Sequence, residues 1–93
     1  MPDVDVESFE WDDGNTAHCA AHGVWPEDLE DALFSGEYVV VRNRKTGTAP
    51  YLFIGRDRSG RCVAAPIVQA TETGVWRPIS AWPCKPAEEA RLR

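Results

Sequence analysis

Apolar runs separated by turn residues fill the second half of the chain, and this pattern predicts a β-sheet. Two such runs, 50–56 and 61–68, flank a turn cluster at 57–60 that ends in glycine. This arrangement predicts a β-hairpin with a short loop. Strands are also predicted at 37–42 before the hairpin and at 75–80 after it. The whole pattern predicts a twisted antiparallel sheet of three to four strands.

A helical spacing of apolar residues marks the stretch before the sheet. Trp25, Leu29 and Leu33 recur four residues apart and so form one apolar stripe. Pro26 suits the first turn of this helix, because the N–H that proline lacks has no partner there. Acidic residues follow, where the positive end of the helix dipole favours them, and Gly36 ends the helix.

Shorter helices are predicted on both sides of these elements. Capping oxygens at 12–15 and a glycine at position 23 bracket a helix from Asn15 to His22. Residues 87–93 predict a short helix at the tail, with its acids first and its arginines last. The predicted fold class is therefore α+β: two N-terminal helices, an antiparallel sheet and a short C-terminal helix. One domain is expected over residues 1–93, with 1–8 flexible except for an edge segment within 4–9.

Two prolines and a set of apolar positions complete the structural expectations. Pro66 and Pro78 fall inside predicted strands, where proline cannot donate a ladder hydrogen bond, so each implies a bulge or an edge. The residues expected to form the core are Trp25, Leu29, Leu33, Leu52, Ile54, Val63 and Ile79.

Cysteine usage and hydropathy favour a cytoplasmic protein. The cysteines are Cys19, Cys62 and Cys84, with no C-x-x-C pair, and we expect reduced thiols at all of them. The chain has no signal-peptide pattern and no apolar run long enough to span a membrane. The expected location is therefore cytoplasmic, with no membrane association.

The net charge of -5 hides an uneven distribution. Residues 1–37 carry eleven acids and no lysine or arginine, whereas residues 38–93 carry ten bases and four acids. The two parts therefore have charges of -11 and +6, which together give the net value. One interpretation is a basic sheet that binds nucleic acid. The other is that the two halves attract each other, and the sequence leaves both open.

Arginines and tryptophans of the predicted sheet are candidates for RNA contact. Alternate positions on a strand share a face, and guanidinium groups suit bidentate contacts with phosphate. The arginines concerned are Arg42, Arg44, Arg56, Arg58, Arg61 and Arg77. Trp76 and Trp82, with Tyr51, offer aromatic faces on which bases stack. The alternative is that arginines at strand ends serve solubility and edge protection.

The two histidines raise the possibility of a metal site. His18 and His22 lie four apart on a predicted helix, which is half of a zinc-binding pattern. Position 19 is cysteine instead of the glutamate of H-E-x-x-H, and no third ligand is obvious. We therefore expect no metal and no cofactor, and a small metal-binding enzyme is the most distant alternative.

Several short motifs follow one another in a fixed order. They are F-E-W-D at 9–12, N-x-x-H-x-x-x-H-G-V at 15–24, Y-L-F-I-G-R at 51–56, G-R at 60–61 and W-R-P-I-S-A at 76–81, with Glu88 in the tail. In this combination, over nearly the whole chain, the sequence resembles the BrnT-like toxins of bacterial type II toxin–antitoxin systems. That family shares the fold of the RelE-type ribonucleases.

The resemblance implies a metal-independent ribonuclease that inhibits translation and is neutralised by a small DNA-binding, BrnA-like antitoxin. It assigns the chemistry to Arg56, Arg77, Lys85 and Glu88, which would position the phosphate, stabilise charge and transfer protons. The motif pattern gives a structural role to Trp11, Asp12, His22 and Gly23. RNA contacts are expected, from the strand positions and aromatic faces described above, at Arg42, Arg44, Arg58, Arg61, Trp76 and Trp82. A homodimer is left open.

The chain departs from the family pattern at positions that often carry positive charge. Trp82 follows I-S-A in place of arginine, Glu89 follows Glu88, and Ala21 precedes H-G-V. Residues 49–50 replace a Glu-Arg pair, and Leu92 stands at the usual aromatic position. These departures support the alternative function, a catalytically inactive module of the same fold that binds a partner protein or RNA.

Overall fold

The computed structural model describes residues 4–44 and 49–92 and has the predicted α+β class. Its elements are β1 (Ser8–Phe9), α1 (Asp13–Ala20), α2 (Pro26–Phe34), β2 (Glu37–Arg42), β3 (Tyr51–Arg56), β4 (Cys62–Gln69), β5 (Val75–Pro78), β6 (Trp82–Pro83), α3 (Pro86–Glu89) and a 3₁₀ turn at Ala90–Leu92. Over these ranges, none of the helices has the length and apolar character needed to cross a membrane.

The sheet is larger than predicted and is mixed instead of purely antiparallel. Its strands follow the order β1-β5-β4-β3-β2, with β6 beside β4. The four longer strands pair antiparallel, as the sequence predicts, but β1 lies parallel to β5. Val6 and Phe9 are buried against the core, and the Glu7 N–H donates to the Gly74 carbonyl at 2.8 Å. The edge segment expected within 4–9 is therefore present as β1, and residues 1–3 lie outside the described part.

Both strand prolines occupy positions where the sheet needs no amide hydrogen. Pro66 lies in β4 between the residues that pair with β6 and those that pair with β5. Its carbonyl accepts from the Ile79 N–H at 3.0 Å. Pro78 ends β5 beyond the reach of the short β1, and its carbonyl accepts from the Asn15 side chain at 2.9 Å. The missing donors thus fall at an interruption and at an edge, as proline requires.

The two faces of the sheet have different covers. On the helix face, α1 and α2 contribute Cys19, Leu29 and Ala32 to a core that includes Phe53 and Ile67. On the opposite face, which we call the tail face, Val41, Ile54 and Ala64 form a smaller cluster against which Trp82 and Leu92 pack. Residues 82–92, which we call the C-terminal segment, therefore supply the cover of the tail face.

The predicted core is partly confirmed. Leu29, Ile54 and Val63 are buried, whereas Leu33, Leu52 and Ile79 are only partly buried. Trp25 was expected inside but is 55% exposed. The reason is that Trp25 stands at the N-cap of α2, where its backbone N–H donates to Asp28 at 2.9 Å. The preceding Val24 is fully buried and takes the place expected for Trp25.

The expectation of reduced thiols at all three cysteines is wrong for two of them. Cys62 and Cys84 form a disulfide, with 5.3 Å between their Cα atoms. The pairing of β6 with β4 brings them together, since the Cys84 N–H donates to the Cys62 carbonyl at 3.0 Å. Cys19 is free and buried, and burial raises the pKa of its thiol to about 11. Sequence spacing did not reveal the disulfide, because the pair depends on a chain reversal after β5.

Leu29→Ala should lower the free energy of unfolding by about 2–5 kcal/mol, because it leaves a cavity under α2. The matched control is Trp25→Ala at the exposed end of the same helix, which should change stability by no more than about 0.5 kcal/mol. Urea denaturation of both variants measures the difference. Equal costs would show that the buried face of α2 is misplaced.

Candidate functional site

The motif around Asp12 and Asn15 has a structural role. The Asp12 carboxylate accepts from the Asn15 N–H at 2.9 Å, and the Asn15 side-chain oxygen accepts from the Asp12 N–H at 2.8 Å. This reciprocal pair caps α1. The Asn15 amide nitrogen also donates to the carbonyls of Glu10 and Pro78, at 3.0 and 2.9 Å. One buried side chain therefore joins the end of β1, the start of α1 and the end of β5.

The other motif residues also hold elements together. The Trp11 indole N–H donates to the Glu30 carboxylate on α2 at 3.1 Å. Gly23 has a φ of 81°, which favours glycine, and its carbonyl accepts from Arg61 at 2.7 Å. His22 is exposed and its ring lies 6.1 Å from that of His18. In the part of the chain that the structure describes, no group of three or more histidines, cysteines or acids is placed to hold a metal.

Most of the candidate arginines are paired with acids from the first 37 residues. Five of the six ion pairs between described residues join the two parts of the chain. They are Arg56–Glu37, Arg58–Asp31, Arg61–Asp28, Arg77–Glu10 and Arg77–Asp12. The mutual attraction of the two halves, which the sequence left as one of two interpretations, therefore accounts for these four arginines.

The Arg77–Asp12 pair is the closest of these contacts, at 2.6 Å. The Arg77 hydrogen bond, with further help from the Asn15 N–H, lowers the pKa of Asp12 to about 2. Arg77 is thus engaged at the cap of α1, next to the structural motif. A catalytic role for it would require this pair to open.

The structure does not gather Arg56, Arg61 and Arg77 into one phosphate-binding surface, contrary to expectation. Arg56 lies opposite Cys62 and Arg77 opposite Val68, at the two ends of β4. Six residues of extended strand separate those positions by about 20 Å. Arg61 is held on the helix face by Gly23 and Asp28. The alternation argument also fails for two of the arginines, because Arg44 and Arg58 lie beyond the ends of β2 and β3. Alternation within one strand could not give the register between strands.

The two tryptophans also differ from the expectation. Trp76 is buried and its indole N–H donates to the Asp5 carbonyl at 3.1 Å, so its faces are not available for stacking. Trp82 is half-buried on the tail face, and its indole N–H donates to the Glu88 carboxylate at 3.0 Å. The Lys85 ammonium lies 5.9 Å from the centre of the Trp82 ring.

The strongest candidate site is a groove of about 340 Å³ between the C-terminal segment and strands β2 and β3. We call it the C-terminal groove. Its floor contains the apolar residues Val41, Leu52 and Ile54. Its charged lining residues are Arg42, Arg44, Glu88 and Arg91. None of the ion pairs between described residues uses Arg42, Arg44 or Arg91. The sequence indicated the first two of these arginines but not Arg91, which only tertiary packing places here.

Of the four residues expected to carry chemistry, Glu88 lines this groove, whereas Arg56 lines a neighbouring pocket with Glu37 and Asp57. Glu88 accepts from the Lys85 N–H at 2.9 Å at the start of α3. Arg56 lies 3.3 Å from Glu89 and 3.7 Å from Glu37, and its Nε is buried without a hydrogen bond within the described structure. Lys85 stands at the N-cap of α3, and Arg77 lies on β5, on the other side of the sheet from β2 and β3.

Comparison with known proteins identifies no relative. No protein-family model matches the chain, and neither a curated protein nor a solved structure does so.

Arg77→Gln should raise the pKa of Asp12 from about 2 toward its ordinary value of 3.8. Because the folded pKa is lowered, Asp12 stabilises the fold above its ordinary pKa, and this contribution is lost as pH falls toward the folded value. The variant should therefore lose less stability than the wild type between those two pH values. Carboxyl NMR titration measures the pKa, and urea denaturation against pH measures the stability. An unchanged Asp12 pKa in the variant would contradict the pairing.

Proposed function

We propose that this chain is a toxin of the BrnT-like type that binds single-stranded RNA in the C-terminal groove and cleaves it without a metal. The observation that carries the proposal is the groove itself, in which an apolar floor and a carboxylate are accompanied by three arginines that form no ion pair with another described residue. Arginine forks suit phosphate oxygens, and an apolar floor accepts unstacked bases.

The proposed chemistry uses groups around α3. Arg42, Arg44 and Arg91 would hold the RNA backbone, and Lys85 would add positive charge from the N-cap of α3. Glu88 would accept the proton of the attacking 2′-hydroxyl, and Arg56 would stabilise charge on the phosphorane. An acidic DNA-binding antitoxin that covers the groove would neutralise the toxin. The proposal includes a cytoplasmic site of action, and it does not require a homodimer.

A second candidate is the non-catalytic module of the same fold. A specific observation favours it: Glu88 already accepts hydrogen bonds from Trp82 and Lys85, and Arg56 faces two carboxylates. A substrate hydroxyl would therefore have to compete with these donors for the oxygens of Glu88. The two candidates share the groove and differ only in whether bound RNA is cut.

RNA binding in the groove should depend on salt, because each phosphate contact releases counterions. For single-stranded RNA, Arg44→Ala and Arg91→Ala should each lower the slope of log affinity against log salt by about 0.7. Arg58→Ala is the matched control, since Arg58 pairs with Asp31 away from the groove, and it should leave the slope unchanged. Fluorescence anisotropy with a labelled oligonucleotide measures all of them. Equal slopes in the three variants would remove the groove from the proposal.

Cleavage separates the two candidate functions. The toxin should degrade RNA in the presence of a chelator and stop growth when it is expressed alone. Glu88→Gln should reduce cleavage by about 10²–10⁴-fold while binding persists, because the amide keeps the shape but cannot take the proton. Growth curves, RNA gels and binding measurements on the wild type and on Glu88→Gln provide the test. The non-catalytic module would be established if cells that express the folded protein grow normally with intact RNA while the purified protein binds RNA in the groove.

A further inference from the structure

The C-terminal segment is made of elements too short to hold themselves. β6 has two residues, α3 has four and the 3₁₀ turn has three. A helix of this length is unstable in water without tertiary contacts. Its position on the tail face must therefore come from what ties it to the sheet.

Few ties to the sheet are strong. The Arg56–Glu89 contact at 3.3 Å joins two partly exposed side chains, and such pairs contribute little. Trp82 and Leu92 pack on the small tail-face cluster. Further ties are the short pairing of β6 with β4 and the contacts of Cys84, whose N–H donates to the Cys62 carbonyl and whose sulfur is bonded to that of Cys62. The disulfide is the only covalent tie among them, and it joins the segment to β4 across a sequence separation of 22 residues.

The same segment forms one wall of the C-terminal groove. Ala87, Glu88 and Arg91 line the groove from α3 and the 3₁₀ turn, opposite β2 and β3. The disulfide joins β4 to the residue just before α3 and thereby fixes where this wall begins. Its loss would free the wall while leaving the β2–β3–β4 hydrogen bonds in place.

We propose that the Cys62–Cys84 disulfide is a redox clasp that holds the C-terminal groove together. Oxidised, the clasp keeps the wall on the sheet. A dithiol reductant opens it: one thiolate attacks a sulfur of the pair to form a mixed disulfide, and its second thiol then displaces the protein sulfur. The reductant ends as a disulfide, and Cys62 and Cys84 end as two thiols, so two electrons and two protons pass to the protein. The reduced chain keeps its helix face and loses its ordered groove.

The third cysteine does not compete in this chemistry. Cys19 is fully buried in the helix-face core, where burial raises the pKa of its thiol to about 11. Thiol–disulfide exchange needs an accessible thiolate. Exchange is thus confined to one pair, and Cys19→Ala is a control that leaves the clasp intact.

Hydrogen exchange tests the clasp without reference to function. In the full chain, dithiothreitol should speed exchange of amides in 82–92 by at least about tenfold, while amides of β3 and β4 keep their protection. Cys84→Ser should show the fast exchange with or without dithiothreitol, and Cys19→Ala should respond like the wild type. Unchanged protection of 82–92 in both the reduced protein and Cys84→Ser would overturn the proposal. So would equal loss of protection throughout the sheet, which would make the bond a global staple.

A second measurement asks whether the disulfide also controls RNA binding in the groove, and this part of the inference rests on the proposed function. Affinity for a single-stranded RNA oligonucleotide should fall by at least about tenfold on reduction and in Cys84→Ser, because Arg91 and Lys85 leave the site. If reduction speeds amide exchange in 82–92 but leaves the affinity for RNA unchanged, the disulfide does not control the groove. If RNA binds in neither state, the proposed function fails, and the exchange result still decides the clasp.

Discussion

The buried amide of Asn15 is the interaction on which the architecture most depends. A polar side chain in a core is costly unless its donors and acceptors are satisfied, and here all of them are. The same side chain caps α1 and donates to two carbonyls, that of Glu10 just after β1 and that of Pro78 at the end of β5. One residue thus joins the start of α1 to the ends of β1 and β5.

The packing of the first part of the chain on the sheet determines which charges form ion pairs. Because α1, α2 and β1 lie over or beside the sheet, the acids of the first 37 residues face arginines of the second part. Ion pairs engage Arg56, Arg58, Arg61 and Arg77. Those between described residues leave out Arg42, Arg44 and Arg91 at the C-terminal groove. A protein of net negative charge therefore keeps a local basic surface. The mutual attraction of the two halves accounts for the ion pairs, and nucleic-acid binding by the remaining basic surface is the proposal made above.

Local patterns predicted the elements well and their relations poorly. Pro26 and the capping oxygens gave α2 and α1 nearly their observed bounds, because caps act within a few residues. The hairpin of β3 and β4 followed from its turn. The features that were not predicted depend on contacts between distant residues. They are the parallel pairing of β1, the Cys62–Cys84 bond and the burial of Trp76. Each depends on which strands lie side by side, and alternation within one strand does not encode that.

The candidate site was hard to predict for the same reason, and its construction has a consequence for function. Its floor comes from two long, well-paired strands, whereas its wall comes from an α-helical turn and a 3₁₀ turn with no buried residue of their own. The floor therefore shares the stability of the whole sheet, and the wall has only the stability of its ties. Any influence that acts on those ties can change the groove without unfolding the domain. In a groove built in this way, the stable fold is provided by the sheet and the adjustable part of the site is provided by the C-terminal segment. The disulfide at Cys84 joins the sheet to that segment.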